Sequence, residues 1–202
     1  PLVFKGGTAL MLILGKSAHR LSIDIDLICP PGTNIEDYLK SFADFGFINL
    51  ELVERKQRDD ADIPKSHSKF FYQIAYRNDT DAQSYILLDV LYEDIHYFRT
   101  QQIAINCPFI RLEGKPLMVT VPSAEDILGD KLTAFAPNTT GIPYYKNGRS
   151  CSMEIAKQLY DVGRLFENVS DLQITKEAFR KIAVVELSYR SFGTDIGQVF
   201  ND

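Results

Sequence analysis

Six residues constrain this chain more than any other stretch. In Ser22-Ile23-Asp24-Ile25-Asp26-Leu27 polar and apolar side chains alternate strictly. That is the period of a β-strand with one buried face. Ile23, Ile25 and Leu27 form the buried set, and Ser22, Asp24 and Asp26 share the other face. Aspartate is a poor strand former, and neighbouring carboxylates repel unless a cation lies between them. The plain alternative is an edge strand showing two acids to solvent. A hard divalent cation such as Mg²⁺ gives the pair a reason, because it takes carboxylate oxygens together with substrate phosphates.

The residues upstream fit an anion. Leu2-Val3-Phe4 is expected to end a short apolar strand that Gly6 and Gly7 break. Thr8 is expected to cap the apolar helix that follows, Ala9 to Leu14. A glycine turn opening a helix presents backbone N–H groups to an anion; taken alone, it is equally a tight strand-to-helix turn. Downstream, Ser84 to Leu91 is apolar on both faces except at Asp89, which marks a strand central in its sheet. A carboxylate there needs a cationic side chain or a metal. With Asp24 and Asp26 already requiring a cation, the metal is the better account.

The rest of the pattern predicts an α/β (α+β) chain with a mixed, largely antiparallel sheet followed by a small helical domain. Pro30-Pro31-Gly32 is a loop. An amphipathic helix is expected over 35–45, with Tyr38, Leu39, Phe42 and Phe45 as its apolar side. Strands are expected over 48–55, 70–77 and 85–92 as an antiparallel meander, and near 103–112 and 117–121. The character changes at Pro122. Ser123-Ala124-Glu125-Asp126 has capping-box spacing with Asp in last place, which predicts a helix to about Phe135. A long loop over 138–149 and helices over 151–166 and 176–187 follow. The division predicted is 1–121 for the catalytic unit and 122–202 for the helical one.

Composition sets bounds. The chain has 202 residues, 45% hydrophobic and 24% charged, with net charge −5. This is a globular balance, and a nonspecific duplex binder would be basic. No apolar run is long enough to span a membrane, and no signal peptide is evident. Cys29, Cys107 and Cys151 are an odd count without CxxC spacing, which fits a reducing cytoplasm and neither a disulfide framework nor a zinc site. Arg55, Lys56, Arg58, Lys65, His67 and Lys69, interrupted by Asp59, Asp60 and Asp62, read as a solvated hairpin or, alternatively, as a loop that contacts nucleotide or RNA.

Taken together, Phe4-Lys5-Gly6-Gly7-Thr8-Ala9-Leu10, then Arg20-x-Ser22-x-Asp24-Ile25-Asp26-Leu27, then Asp89 in an apolar strand, resemble the AbiEii/AbiGii toxin-type nucleotidyltransferases of the DNA polymerase β-like superfamily. Glu125 to Leu132 and Lys157-Gln158-Leu159-Tyr160-Asp161-Val162 are similar to that family's helical segments, so the resemblance covers most of the chain. Members usually carry a helical segment ahead of the glycine turn, so a chain opening at Pro1 is expected to be clipped or partial. A second departure is Lys157, which stands where an arginine-aspartate pair is common.

The resemblance implies a minimal nucleotidyltransferase fold. It also implies transfer of a nucleoside monophosphate from an NTP, with two Mg²⁺ ions (or Mn²⁺) held by Asp24, Asp26 and Asp89. Asp89 would help deprotonate the acceptor. Gly6, Gly7 and Thr8 would hold the triphosphate. Lys131 would reach a phosphate, against the alternative of a solvated lysine beside Ile127. Ser22 either contacts a phosphate or satisfies a local hydrogen bond. Arg20 either neutralises phosphate or is a surface arginine, and Lys5 is similar. Lys157 and Asp161, one helical turn apart, form a surface ion pair or face the site. His19, His67 and His96 receive no role. The acceptor implied is RNA, such as a tRNA end, or a protein, with an antitoxin protein as partner in a type IV toxin–antitoxin or abortive-infection system. The competing readings are transfer to a small molecule such as an aminoglycoside, and a degenerate fold that only binds nucleotide or antitoxin.

Overall fold

A computed structural model describes residues 2–22, 24–52, 63–73, 83–108 and 111–202. The expected positions Ile23, Arg55, Lys56, Arg58, Asp59, Asp60 and Asp62 lie outside the described residues, as do the ends of the expected strands over 53–55 and 74–77. In chain order the first elements are β1 (Val3–Lys5), α1 (Gly6–Leu14), β2 (Asp24–Cys29), α2 (Glu36–Leu39), β3 (Asn49–Leu52), β4 (Lys65–Gln73), β5 (Gln83–Tyr92), β6 (Thr100–Ala104) and β7 (Met118–Pro122). Then come α3 (Ala124–Leu132), a hairpin of β8 (Tyr145–Lys146) and β9 (Arg149–Ser150), α4 (Ser152–Phe166), α5 (Leu172–Tyr189) and α6 (Gly197–Phe200).

Seven strands form one sheet in the order β3-β4-β5-β2-β1-β7-β6. Pairing is mostly antiparallel, with β1 parallel to β7 and β2 parallel to β5. The two acids of β2 therefore lie on the central strand, which excludes the exposed-edge alternative. The meander β3-β4-β5 is as expected, although β4 begins at Lys65 rather than Phe70.

Each face of the sheet is covered. On one side Leu27, Cys29, Phe70, Leu88 and Val90 bury against Ile35, with Leu39 and Phe42 beside them. On the other, Val3, Ile28 and Leu91 pack with Tyr97 and with Ile182 of α5. A further cluster joins Ala9, Leu10, Met11 and Leu12 of α1 to Val121, Ile127, Leu128 and Leu165. α1 is buried almost all round because it lies among the sheet, α3 and α4. Asp24, Asp26 and Asp89 stand on the side that α5 covers, since Asp26 shares its face with Ile28, and Asp89 with Leu91.

Several local expectations are corrected. The 35–45 helix is two pieces: α2 is a single turn, and a 3-10 turn over Phe42–Phe45 ends at Gly46, φ +84°. Tyr38 and Phe45 are exposed, so only Leu39 and Phe42 serve as the apolar side. The 138–149 loop contains the β8-β9 hairpin. The helix at 176–187 starts earlier, where the Asp171 carboxylate caps it by accepting from Gln173 N and Ile174 N. Ser123 caps α3 as expected: its hydroxyl accepts from Asp126 N at 3.1 Å and donates to Asp126 Oδ2 at 2.8 Å. The reciprocal bond of a full capping box is not made, because the Ser123 N–H donates to the Arg99 carbonyl at 2.9 Å. The buried Asp126 carboxylate also accepts from the N–H groups of Phe98 and Arg99, tying the β5-β6 connection to α3.

Candidate active site

The register of the sheet brings the carboxylates together. Asp26 on β2 pairs with Asp89 on the parallel β5, and Asp24 lies two residues along the same face. Antiparallel β1 places Lys5 beside Asp26, and antiparallel β4 places His67 beside Asp89. One row across four adjacent strands thus reads His67, Asp89, Asp26, Lys5. Burial raises the pKa of Asp26, and the charges of Asp89 and Asp24 push it further up, while Lys5 and Lys131 hold it back. Burial would lower the Lys5 ammonium pKa, but Asp130, Glu186, Glu93 and Asp26 outweigh it and hold the group above its ordinary value.

The glycine turn sits directly on this row. Gly6 has φ +60°, and a Cβ there would lie 2.1 Å from Asp26 Oδ2. A Cβ on Gly7 would lie 2.7 Å from Ser22 Oγ and 3.0 Å from the Arg20 guanidinium. Only glycine allows the backbone into this space. The glycines form the first turn of α1 rather than a loop ahead of it, and Lys5 is the N-cap residue without a side-chain cap. Thr8 does not cap the helix: its hydroxyl is buried and donates to the Asp24 carbonyl at 2.6 Å. Ser22 Oγ donates to the same carbonyl at 3.1 Å, which is the local hydrogen bond expected of it. What the turn offers an anion is therefore backbone N–H, because the first N–H groups of a helix lack intrahelical acceptors.

A buried carboxylate organises the cations beside the turn. Asp161 of α4 is fully buried and takes Arg20 in a two-point grip, Nε to Oδ1 and a terminal guanidinium nitrogen to Oδ2, both at 2.6 Å. Lys131 Nζ lies 2.8 Å from Asp161 Oδ2 and donates to Gln158 Oε1 at 3.0 Å. Arg20 is accordingly not a surface arginine, and Lys131 is buried rather than solvated. The Lys157–Asp161 pair does not form, since Lys157 is exposed and Asp161 faces inward. Burial raises the Asp161 pKa, but the Arg20 hydrogen bond and the Lys131 charge dominate and leave it below the usual carboxylate range.

His67 is the residue that sequence reasoning missed. Its Nδ1 lies 2.7 Å from Asp89 Oδ1. The only sequence hint was its place on a period-two face with Lys65 and Lys69. Among the described residues, no three His, Cys, Asp or Glu side chains converge as they stand to hold a metal ion. Among them, too, no helix is long and apolar enough to cross a membrane.

Comparison with known proteins identifies the chain's family. Residues 1–195 match the family model described as nucleotidyl transferase AbiEii toxin, type IV TA system. The chain belongs to this family of nucleotidyltransferase toxins. Among solved structures it is similar to JHP933 from Helicobacter pylori, at 16% identity and TM-score 0.44, covering 100% of this chain and 90% of that one. A proposed nucleotidyltransferase from H. pylori is similar at 18% identity and TM-score 0.37, over 95% and 88% of the two chains. No curated protein matches.

Proposed function

We propose that this chain performs metal-dependent transfer of a nucleoside monophosphate from an NTP to an RNA or protein acceptor, as a toxin whose partner is an antitoxin protein. One observation carries the site assignment: Asp26 and Asp89 are in register on adjacent central strands, with Asp24 alongside, against the Gly6-Gly7 turn.

The donor set fits Mg²⁺. Three carboxylates on one face supply hard oxygens of the kind Mg²⁺ takes, and their mutual repulsion favours a cation. Asp24, Asp26 and Asp89 would hold it. Two bound ions would neutralise triphosphate charge and lower the pKa of the acceptor hydroxyl. The N–H groups of Gly6, Gly7 and Thr8 would seat the phosphates, with Arg20 and Lys131 offsetting their charge from behind the turn. An Asp89 carboxylate oxygen would take the acceptor proton. The acceptor oxygen would bond to the α-phosphorus while the bond to the bridging oxygen breaks and pyrophosphate leaves.

RNA is favoured as the acceptor by a row of basic side chains on the same face. Lys65, His67 and Lys69 alternate along β4 beside Asp89's strand, and Lys69 Nζ lies 4.8 Å from the ring centre of the half-exposed Tyr85. Lysines beside an exposed aromatic ring suit a nucleic-acid strand. The test is incubation with Mg²⁺, each of the four α-labelled NTPs and total RNA, followed by separate ribonuclease and protease digestion. Label released by ribonuclease supports the RNA reading. Label released by protease alone makes the acceptor a protein, and label in neither fraction but in an added aminoglycoside makes it a small molecule.

A further inference from the structure

The contact between His67 and Asp89 has no part in the roles assigned so far. We infer that His67 is a positioning residue: its Nδ1–H anchors Asp89 Oδ1 and fixes the plane of the carboxylate that, on the reading proposed above, serves as a metal ligand.

Geometry and hydrogen-bond chemistry support this. His67 and Asp89 are direct partners in the β4-β5 ladder, and the Nδ1 to Oδ1 distance is 2.7 Å. The two side chains are 14% and 24% exposed, so water competes weakly for the bond. An ionised carboxylate only accepts hydrogen bonds, so the imidazole must carry a proton on Nδ1. The terminal torsion of an aspartate is broad and roughly two-fold, which leaves an unanchored carboxylate free to turn. An anchor on the β4 side restricts that rotation, with Asp26 on the other side. The backbone beneath is fixed as well: β4 continues through the buried Ser68, and Ser66 Oγ bonds the Tyr92 hydroxyl across the same ladder at 2.9 Å. Groups that orient a ligand in this way typically change metal affinity by about ten-fold to a hundred-fold when removed.

The test compares wild type, His67→Leu, His67→Asn and Asp89→Asn by Mn²⁺ titration of the NTP-free protein, read by electron paramagnetic resonance, with thermal melting to show that each variant is folded. Asn places an N–H close to the position of Nδ1, whereas Leu fills the space without a donor. The inference expects His67→Leu to weaken Mn²⁺ binding about ten-fold, with His67→Asn restoring most of it and Asp89→Asn weakening it at least as much as His67→Leu. Unchanged affinity in a folded His67→Leu variant, or a His67→Asn variant as impaired as Leu, overturns the inference and leaves the metal reading standing. A wild-type protein that binds no Mn²⁺ overturns both.

Discussion

Replacing Asp161 by asparagine tests whether buried charge organises the site. The side chain is fully buried, and it faces two cations whose own side chains are only 16% and 7% exposed, Arg20 and Lys131. Asparagine keeps the shape but removes the negative charge, so a guanidinium and an ammonium remain together with little water. Breaking a buried pair by removing one partner costs about 3–5 kcal/mol. Arg20 keeps some solvent, so we expect the lower end, about 3 kcal/mol. With a urea slope of about 3 kcal/mol per molar for a chain of this size, the midpoint should fall by about 1 M. The pH dependence has a definite sign. Interaction with Arg20 and Lys131 depresses the folded-state pKa of Asp161, so its contribution is complete above the unfolded value of about 3.9. That contribution is lost as pH falls through the folded pKa. Urea melts should therefore give a constant gap between wild type and variant from pH 7 down to about pH 5, closing only below about pH 4. A midpoint shift under about 0.3 M, or a gap that closes near neutral pH, would refute the reasoning.

Three other substitutions separate fold from chemistry. Gly6→Ala must accept φ +60° and a Cβ 2.1 Å from Asp26 Oδ2. The left-handed strain of about 1–2 kcal/mol should lower Tm by about 4 °C, and displacing Asp26 should cut turnover at least about a hundred-fold; a variant with wild-type turnover would contradict the placement of the turn. Asp126→Ala should cost about 2–4 kcal/mol in urea melts, because it removes a buried carboxylate that accepts from the Phe98 and Arg99 N–H groups and from the Ser123 cap. Its turnover per folded molecule should be unchanged, since Asp126 lies outside the catalytic row. Ser123→Ala should cost only about 1 kcal/mol through loss of the cap, measured in the same way.

What the sequence made legible was what local periodicity encodes. Alternation at Ser22 to Leu27 placed Asp24 and Asp26 on one strand face, and the apolar run around Asp89 marked an interior strand. The capping spacing at Ser123 found the start of α3. What it did not make legible depended on contacts between distant segments. Asp161 had Lys157 one turn away as a local partner, yet it pairs with Arg20, 141 positions earlier, because α4 turns its acid inward onto the glycine turn. His67 meets Asp89 only through the ladder register, which no spacing within either strand specifies. The overextended 35–45 helix shows the opposite error: its pattern suits a helix, but Tyr38 and Phe45 have nothing to bury against, and the chain breaks at Ser41.

The central claim is that Asp24, Asp26 and Asp89 support nucleotidyl transfer. Its most direct measurement follows an α-labelled and a γ-labelled NTP in parallel, in wild type and in Asp24→Asn, Asp26→Asn and Asp89→Asn, with Mg²⁺ and with chelator. The account predicts that α-label moves to the acceptor and γ-label leaves as pyrophosphate. It further predicts that chelator or any one of the three substitutions abolishes both in folded protein. Transfer of the γ-label, or full α-label transfer by a folded Asp26→Asn variant, would contradict it.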